Sequence, residues 1–124
     1  MNELLLDSDV IIADLRGNPA MVHQIQSLIL SGWRLYYTCI SVAEIYAGIR
    51  PGEELVTARF FGLMTYLPLS IDIGVKAGQY LKRYHKSHGT QTTDALIAAT
   101  AAVYNLPLYT INRKHFPMPD ISLF

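Results

Sequence analysis

Four carboxylates stand where apolar neighbours leave little water: Asp7 and Asp9 in LLLDSDVII, Glu44 in SVAEIYAGI and Asp94 in TTDALIAATAAV. None has a Lys or Arg within five positions, and Arg50, six beyond Glu44, is the nearest. A buried carboxylate without a partner costs several kcal/mol, so it must be paired, protonated or bound to a cation. Carboxylates that converge without cations repel one another and raise each other's pKa values. A hard divalent ion relieves that repulsion, and oxygen-only ligands favour Mg²⁺ or Mn²⁺ over zinc. Such an ion activates water and offsets charge on a phosphoryl oxygen, so phosphodiester hydrolysis is the reaction that best matches this inventory. Taken singly, each acid also has a plain structural role. Glu44 can close a capping box with Ser41, Asp94 suits the first turn of a helix, and Asp9 or Ser8 can cap one. Only a shared location raises the chemical reading above these.

The elements that would supply that location follow from hydrophobic spacing. Leu4–Leu6 reads as a buried strand, and Val10–Arg16 as a short helix ended by Gly17-Asn18-Pro19. A helix over Ala20–Leu30 carries Met21, Ile25, Leu28 and Ile29 on one face, and Arg34–Thr38 has aromatic strand character. Ser41-Val42-Ala43-Glu44 opens a helix reaching Ile49, and Glu53–Leu63 forms another. Tyr66–Leu69 reads as a third strand; Asp72–His88 is a helix with Val75, Gly78, Leu81 and Tyr84 at helical spacing. Thr92–Tyr104 is the last helix, Leu106–Tyr109 a fourth strand and Ile121–Phe124 a fifth. Strands alternating with helices predict an α/β domain with a mostly parallel sheet.

In that arrangement Asp7 and Asp9 follow the first strand, and Glu44 follows the second. The short turn between the last helix and strand 106–109 brings Asp94 back to the edge where that strand ends. Thr110 and Asn112 leave from the same edge, where open α/β sheets bind ligands.

Composition sets outer bounds. The 124 residues predict a single domain, 1–124, and ten Lys+Arg against ten Asp+Glu give a formal net charge of zero. A wholly basic nucleic-acid protein is excluded, so contact with nucleic acid needs a local patch. At 51% hydrophobic and 16% charged, the chain is not disordered. The single cysteine, Cys39, can form neither an internal disulfide nor a Cys-based zinc site and reads as a small buried thiol. MNELLLDSDVII has acids within its apolar stretch and no basic leader, so no signal peptide is expected. The apolar run ALIAATAAVY is half a membrane span. A soluble, cytoplasmic protein is the expectation.

The spacing of LLLDSDVII, SVAEIYAGI, TTDALIAATA and LPLYTINRKHF resembles the PIN-domain ribonucleases, especially the VapC-type toxins of bacterial and archaeal toxin–antitoxin pairs. The likeness covers nearly the whole chain, and four ordered motifs are far more specific than a lone DxD. It implies a three-layer α/β/α sandwich around a mostly parallel sheet and a Mg²⁺- or Mn²⁺-dependent endoribonuclease. Asp7, Glu44 and Asp94 match the family's catalytic acids and would hold the metal. Asp9 takes a supporting position, and Ser8 and Thr110 match small hydroxyls that hold the acids in place. Many members carry a fourth acid where this chain has Asn112. The amide can coordinate or orient water in the catalytic group but brings no charge toward a second metal. The resemblance further implies an RNA substrate cut to a 5′-phosphate and a 3′-hydroxyl, a homodimer, and a cognate antitoxin whose tail crosses the acidic cleft.

Basic residues offer two RNA-facing groups. Lys76, Arg83 and Lys86 share a helical face, with Lys82 beside them, and a solvated surface explains them equally well. Arg113 and Lys114 are better placed because they follow the strand that ends at the acidic edge. His85 and His88 make a poor zinc site without companions, and His115 reads as a loop-packing residue. Trp33 and the tyrosines suit a core or interface, and Tyr46 and Tyr104 could stack on a base. Three other readings compete. A haloacid-dehalogenase-like phosphatase needs a later Lys and a second acidic pair that the chain lacks. A receiver-type signalling module needs an Asp ending the third strand, where Tyr66–Leu69 has none and Asp72 comes too late. A catalytically weak PIN scaffold that acts by binding a partner is the remaining alternative.

Overall fold

In the computed structural model, which describes residues 2–124, the apolar run at the start becomes the centre of the molecule. Strand β1 (Glu3–Leu6) pairs in parallel with β2 (Arg34–Tyr37) on one side and β4 (Leu108–Tyr109) on the other. Strand β3 (Thr65–Tyr66) adds in parallel to β2, so the order is β3-β2-β1-β4. All four strands therefore end at one edge of the sheet.

Strand alternation sorts the core into two layers of side chains. Leu4, Leu6 and Leu35 pack with α1 (Ser8–Leu15), α2 (Pro19–Leu30), α3 (Cys39–Ala47) and α4 (Glu54–Gly62) through Val10, Ile11, Ile25, Leu28, Ile45 and Phe61. Leu5, Tyr36 and Leu108 face the other way, onto α5 (Ile71–His88) and α6 (Thr92–Tyr104). The result is a three-layer α/β/α sandwich. Leu4, Leu5 and Leu6 are fully buried, and burying each side chain is worth about 1.5–3 kcal/mol.

Helix starts are capped by side chains that the chain order supplies. Asp7 caps α1, Asn18 accepts from Met21 N–H with Pro19 at the first helical position, Thr38 caps α3 and Ser70 caps α5. Gly89, at φ +67°, ends α5 in the left-handed conformation.

Several boundaries differ from the sequence expectation for physical reasons. Helix α1 starts at Ser8 because Asp7, rather than Asp9 or Ser8, is its cap. Helix α3 starts at Cys39 and stops at Ala47, with Thr38 accepting from Ile40 N–H at 3.2 Å, so Ser41 and Glu44 do not form the expected capping box. Strand β3 stops at Tyr66 rather than Leu69, since Pro68 has no N–H to extend the ladder. The expected fifth strand is reduced to one parallel bridge, Leu108 to Leu123. On α5 the buried face is Ile73, Ala77, Tyr80 and Tyr84, whereas Val75 is 58% exposed. Cys39, read as a buried thiol, is exposed, because Thr38 takes the buried position at the helix start. Trp33 does pack, edge to face against Phe124 at 5.3 Å between ring centroids. Among the described residues no helix is long and apolar enough to cross a membrane.

Candidate active site

The parallel sheet puts the residues after β1, β2 and β4 on one edge, and order β2-β1-β4 makes β1 the place where the chain path reverses direction across the sheet. Asp7 leaves the end of β1, Thr110 the end of β4, and α3 starts just past β2. Asp7 is 6% exposed and caps α1, and its two oxygens have different donors. Ser8 N–H donates to Oδ1 at 2.8 Å, and the Thr110 hydroxyl donates to Oδ2 at 2.7 Å.

Ser8 carries the connection toward α3. Its hydroxyl donates to Glu44 Oε1 at 2.7 Å and lies 2.9 Å from the Ser41 hydroxyl. Ser41 and Glu44, three apart on α3, are therefore held to the start of α1 rather than to each other. Glu44 itself is exposed, unlike its apolar neighbour Ile45.

Asp9 does a different job. Its Oδ2 accepts from Ile111 N–H at 3.1 Å and Asn112 N–H at 2.9 Å, with Thr110 Oγ1 at 3.3 Å. One carboxylate oxygen thus fastens the loop after β4 to α1. Its other oxygen, Oδ1, is buried with no hydrogen-bond partner, the one such side-chain atom among the described residues.

Asp94 sits at the third position of α6. Its Oδ2 accepts from Gln91 N–H at 2.9 Å in a capping box, so the first-turn role and the place at the edge coexist. The same oxygen lies 3.2 Å from His115 Nδ1. The Asn112 side-chain amide meets that ring nitrogen at 2.8 Å. His115, expected to pack a loop, is thus part of the site. The signal was present as N-R-K-H, because a 3₁₀ turn over Arg113–His115 eclipses residues three apart.

Electrostatics mark this edge. Burial pushes the Asp7 carboxyl up from its ordinary 3.8 to about 7; the charges of Asp9 and then Asp94 add to this, and the bonds from Thr110 and Ser8 oppose it. Among the described residues no Lys or Arg pairs with Asp7, Asp9, Glu44 or Asp94. Nor do any three His, Cys, Asp or Glu side chains already stand at metal-shell spacing, since Glu44 is turned onto Ser8 and Asp94 onto Gln91 and His115. The donor chemistry fits a hard divalent cation on two observations. Burial, joined by the charges of Asp9 and Asp94, raises the Asp7 carboxyl to about 7, and neighbouring Asp9 keeps a buried oxygen without a donor.

The other named residues lie as follows. Arg113 donates from its guanidinium to Phe124 O at 3.0 Å, and Lys114 is exposed. Lys76 pairs with Asp120 at 2.7 Å, while Lys82, Arg83 and Lys86 are exposed on α5. His85 Nδ1 lies 2.9 Å from Thr90 O, and His88 sets its ring edge against Tyr84. Tyr104 donates to Pro68 O, whereas Tyr46 stacks on Phe61. An apolar groove of 240 Å³, lined by Ile12, Leu15, Ile45, Ile49 and Val56, runs alongside Glu44.

Comparison with known proteins points the same way. The PIN domain family model matches residues 4–117. The chain is 35% identical over 120 residues to Ribonuclease VapC19 of Mycobacterium tuberculosis, covering 95% of this chain and 96% of that protein. It is 39% identical over 116 residues to Ribonuclease VapC10 of the same organism, covering 93% and 86%. Among solved structures, FitAcB from Neisseria gonorrhoeae superposes with a TM-score of 0.74 at 29% identity over 98% of this chain and 96% of that one. VapBC2 from Rickettsia felis, bound to a DNA fragment from its promoter, has a TM-score of 0.80 at 20% identity, covering 98% and 97%, and shares the fold.

Proposed function

This chain belongs to the PIN domain family, and from that premise we propose that it is a metal-dependent endoribonuclease, the toxin of a toxin–antitoxin pair. Family membership sets aside the receiver-type and phosphatase alternatives. The observation that carries the reading is the gathering of Asp7, Asp9 and Asp94 at the edge where β1 and β4 end, with no Lys or Arg paired to them among the described residues. Burial and these neighbouring acids raise the Asp7 carboxyl to about 7. A site that concentrates negative charge without a protein cation suits a divalent metal and a phosphodiester together.

Asp7, Glu44 and Asp94 are the residues that would hold Mg²⁺ or Mn²⁺. The ion, when bound, would lower the pKa of water and offset charge developing on the scissile phosphate. The chain's own contribution is positioning. Thr110 and Ser8 N–H fix both Asp7 oxygens, and the Ser8 hydroxyl orients Glu44. Asp9 keeps the loop carrying Thr110 and Asn112 against α1, and Asn112 contributes a neutral amide where another acid would add repulsion. Arg113 and Lys114 follow directly in the 3₁₀ turn and supply positive charge for RNA phosphates beside the acids.

The proposed setting is cytoplasmic, with the chain as a homodimer bound by a cognate antitoxin. A further solved structure with the same fold, a toxin–antitoxin complex from Klebsiella pneumoniae (TM-score 0.76 at 21% identity, covering 95% of this chain and 94% of that one), supports that partner. The apolar groove beside Glu44 suits an apolar antitoxin segment, whose docking would cover the acidic edge.

Purified protein incubated with RNA tests the activity. Cleavage that requires Mn²⁺ or Mg²⁺, stops with EDTA and is lost in Asp7→Asn is expected. Full cleavage in EDTA, or by Asp7→Asn, contradicts the proposal.

A further inference from the structure

Every acid at this edge except Asp94 is held to the start of α1; Asp94 is reached from the loop after β4. Its Oδ2 takes Gln91 N–H at 2.9 Å and faces His115 Nδ1 at 3.2 Å, while among the described residues no protein donor reaches Oδ1. Two contacts on one oxygen fix the carboxylate plane and leave the second oxygen open. A single contact from Gln91 would leave that plane free to swing.

His115 is itself secured on several sides. The Thr90 hydroxyl donates to His115 O at 2.8 Å, His115 N–H reaches Asn112 O at 3.2 Å, and the Asn112 amide lies 2.8 Å from Nδ1. The ring also borders Gly89, where an added Cβ would stand 3.6 Å from Nε2. The structure sets the Asn112 amide nitrogen 2.8 Å and Asp94 Oδ2 3.2 Å from Nδ1. A hydrogen on Nδ1 makes the carboxylate contact favourable and calls for the amide's oxygen end to face the ring in place of its nitrogen.

We propose that His115, steadied by Asn112, is a positioning residue that orients the Asp94 carboxylate toward a divalent cation. The inference rests on the metal-dependent nuclease reading above. It assigns Asn112 a place behind Asp94, through the histidine, in place of direct service to the metal. Partners of this kind behind a metal ligand set affinity by fixing the ligand's orientation.

The test is Mn²⁺ binding to the full chain by titration calorimetry, with thermal melting of each variant. His115→Phe keeps a ring and removes both nitrogens; His115→Asn returns an N–H close to the position of Nδ1. Mn²⁺ affinity weakened about 10–100-fold in His115→Phe, with its melting temperature unchanged and most of the affinity restored in His115→Asn, is expected. Wild-type affinity in His115→Phe overturns the inference. So does an equal loss in both variants accompanied by lower melting temperatures, since that marks a structural role alone. If wild-type protein binds Mn²⁺ and Asp7→Asn does not, the metal reading stands whatever His115→Phe shows. If wild-type protein fails to bind Mn²⁺, both readings fall.

Discussion

The Thr110 hydroxyl donates a 2.7 Å hydrogen bond to Asp7 Oδ2, tying together the ends of β1 and β4 across 103 positions of sequence. Both groups are nearly inaccessible, Thr110 at 3% and Asp7 at 6% exposure. Thr110→Val keeps the shape and removes the donor, leaving a buried carboxylate oxygen unpaired. A loss of about 1–3 kcal/mol is expected by urea unfolding, with a larger drop in RNA cleavage than in stability. Thr110→Ser should recover most of both. Thr110→Val with wild-type stability and rate would show that the bond carries neither.

Asp7 itself is held at a cost to the metal-free fold. Its folded pKa, about 7, lies above the ordinary 3.8. The stability linked to its protonation is therefore fully present below the ordinary value and is lost as pH rises through about 7. Asp7→Asn does not titrate; its amide can accept from Ser8 N–H and donate to the Thr110 hydroxyl, which can then turn to Asp9. In EDTA, Asp7→Asn should be more stable than wild type at pH 8 by on the order of 2–4 kcal/mol. The gap should shrink toward pH 4, and Mn²⁺ should close it at pH 8 by stabilising only the wild type. A gap that does not change with pH would contradict the assignment.

Ser8 and Ser41 share a buried contact of 2.9 Å, and Ser8 alone reaches Glu44. Ser8→Ala strands the Ser41 hydroxyl, which is fully buried, and should cost about 1–3 kcal/mol. The double variant Ser8→Ala/Ser41→Ala should cost less than the sum of the single changes, because neither hydroxyl is then stranded. Additive losses in chemical denaturation would rule out that coupling.

Lys114 is exposed beside the site and supplies charge rather than structure. In the Asp7→Asn background, where RNA is expected to be bound but not cut, Lys114→Ala should weaken RNA binding at low salt. It should also reduce the slope of log affinity against log salt by about 1. Fluorescence anisotropy over a salt series reads both, and an unchanged slope would place the RNA elsewhere.

The acids were legible because charge inside apolar sequence is conspicuous, and the parallel α/β pattern showed which strand ends they follow. Hydrogen-bond partners were less so. S-x-x-E reads as a capping box in one dimension, yet Thr38 takes the cap and a hydroxyl from α1 takes Glu44. On helix α5, small and aromatic residues, Ala77 and Tyr80, fill the buried stripe while the apolar Val75 faces outward, so apolar spacing alone points to the wrong face. The place of His115 in the site depends on a 3₁₀ turn and on Asp94, a residue 21 positions away, which local sequence does not reveal. Such meetings are set by tertiary geometry and leave little trace in local spacing.

The central claim is that Asp7, Glu44 and Asp94 gather one divalent ion, and a crystal soaked in Mn²⁺ with diffraction recorded at the manganese edge tests it directly. The account predicts an anomalous peak at the edge where β1 and β4 end, within about 2.0–2.3 Å of carboxylate oxygens from at least two of these residues. An anomalous map showing manganese bound only elsewhere on the molecule, or a soaked crystal with no peak at that edge, would contradict it.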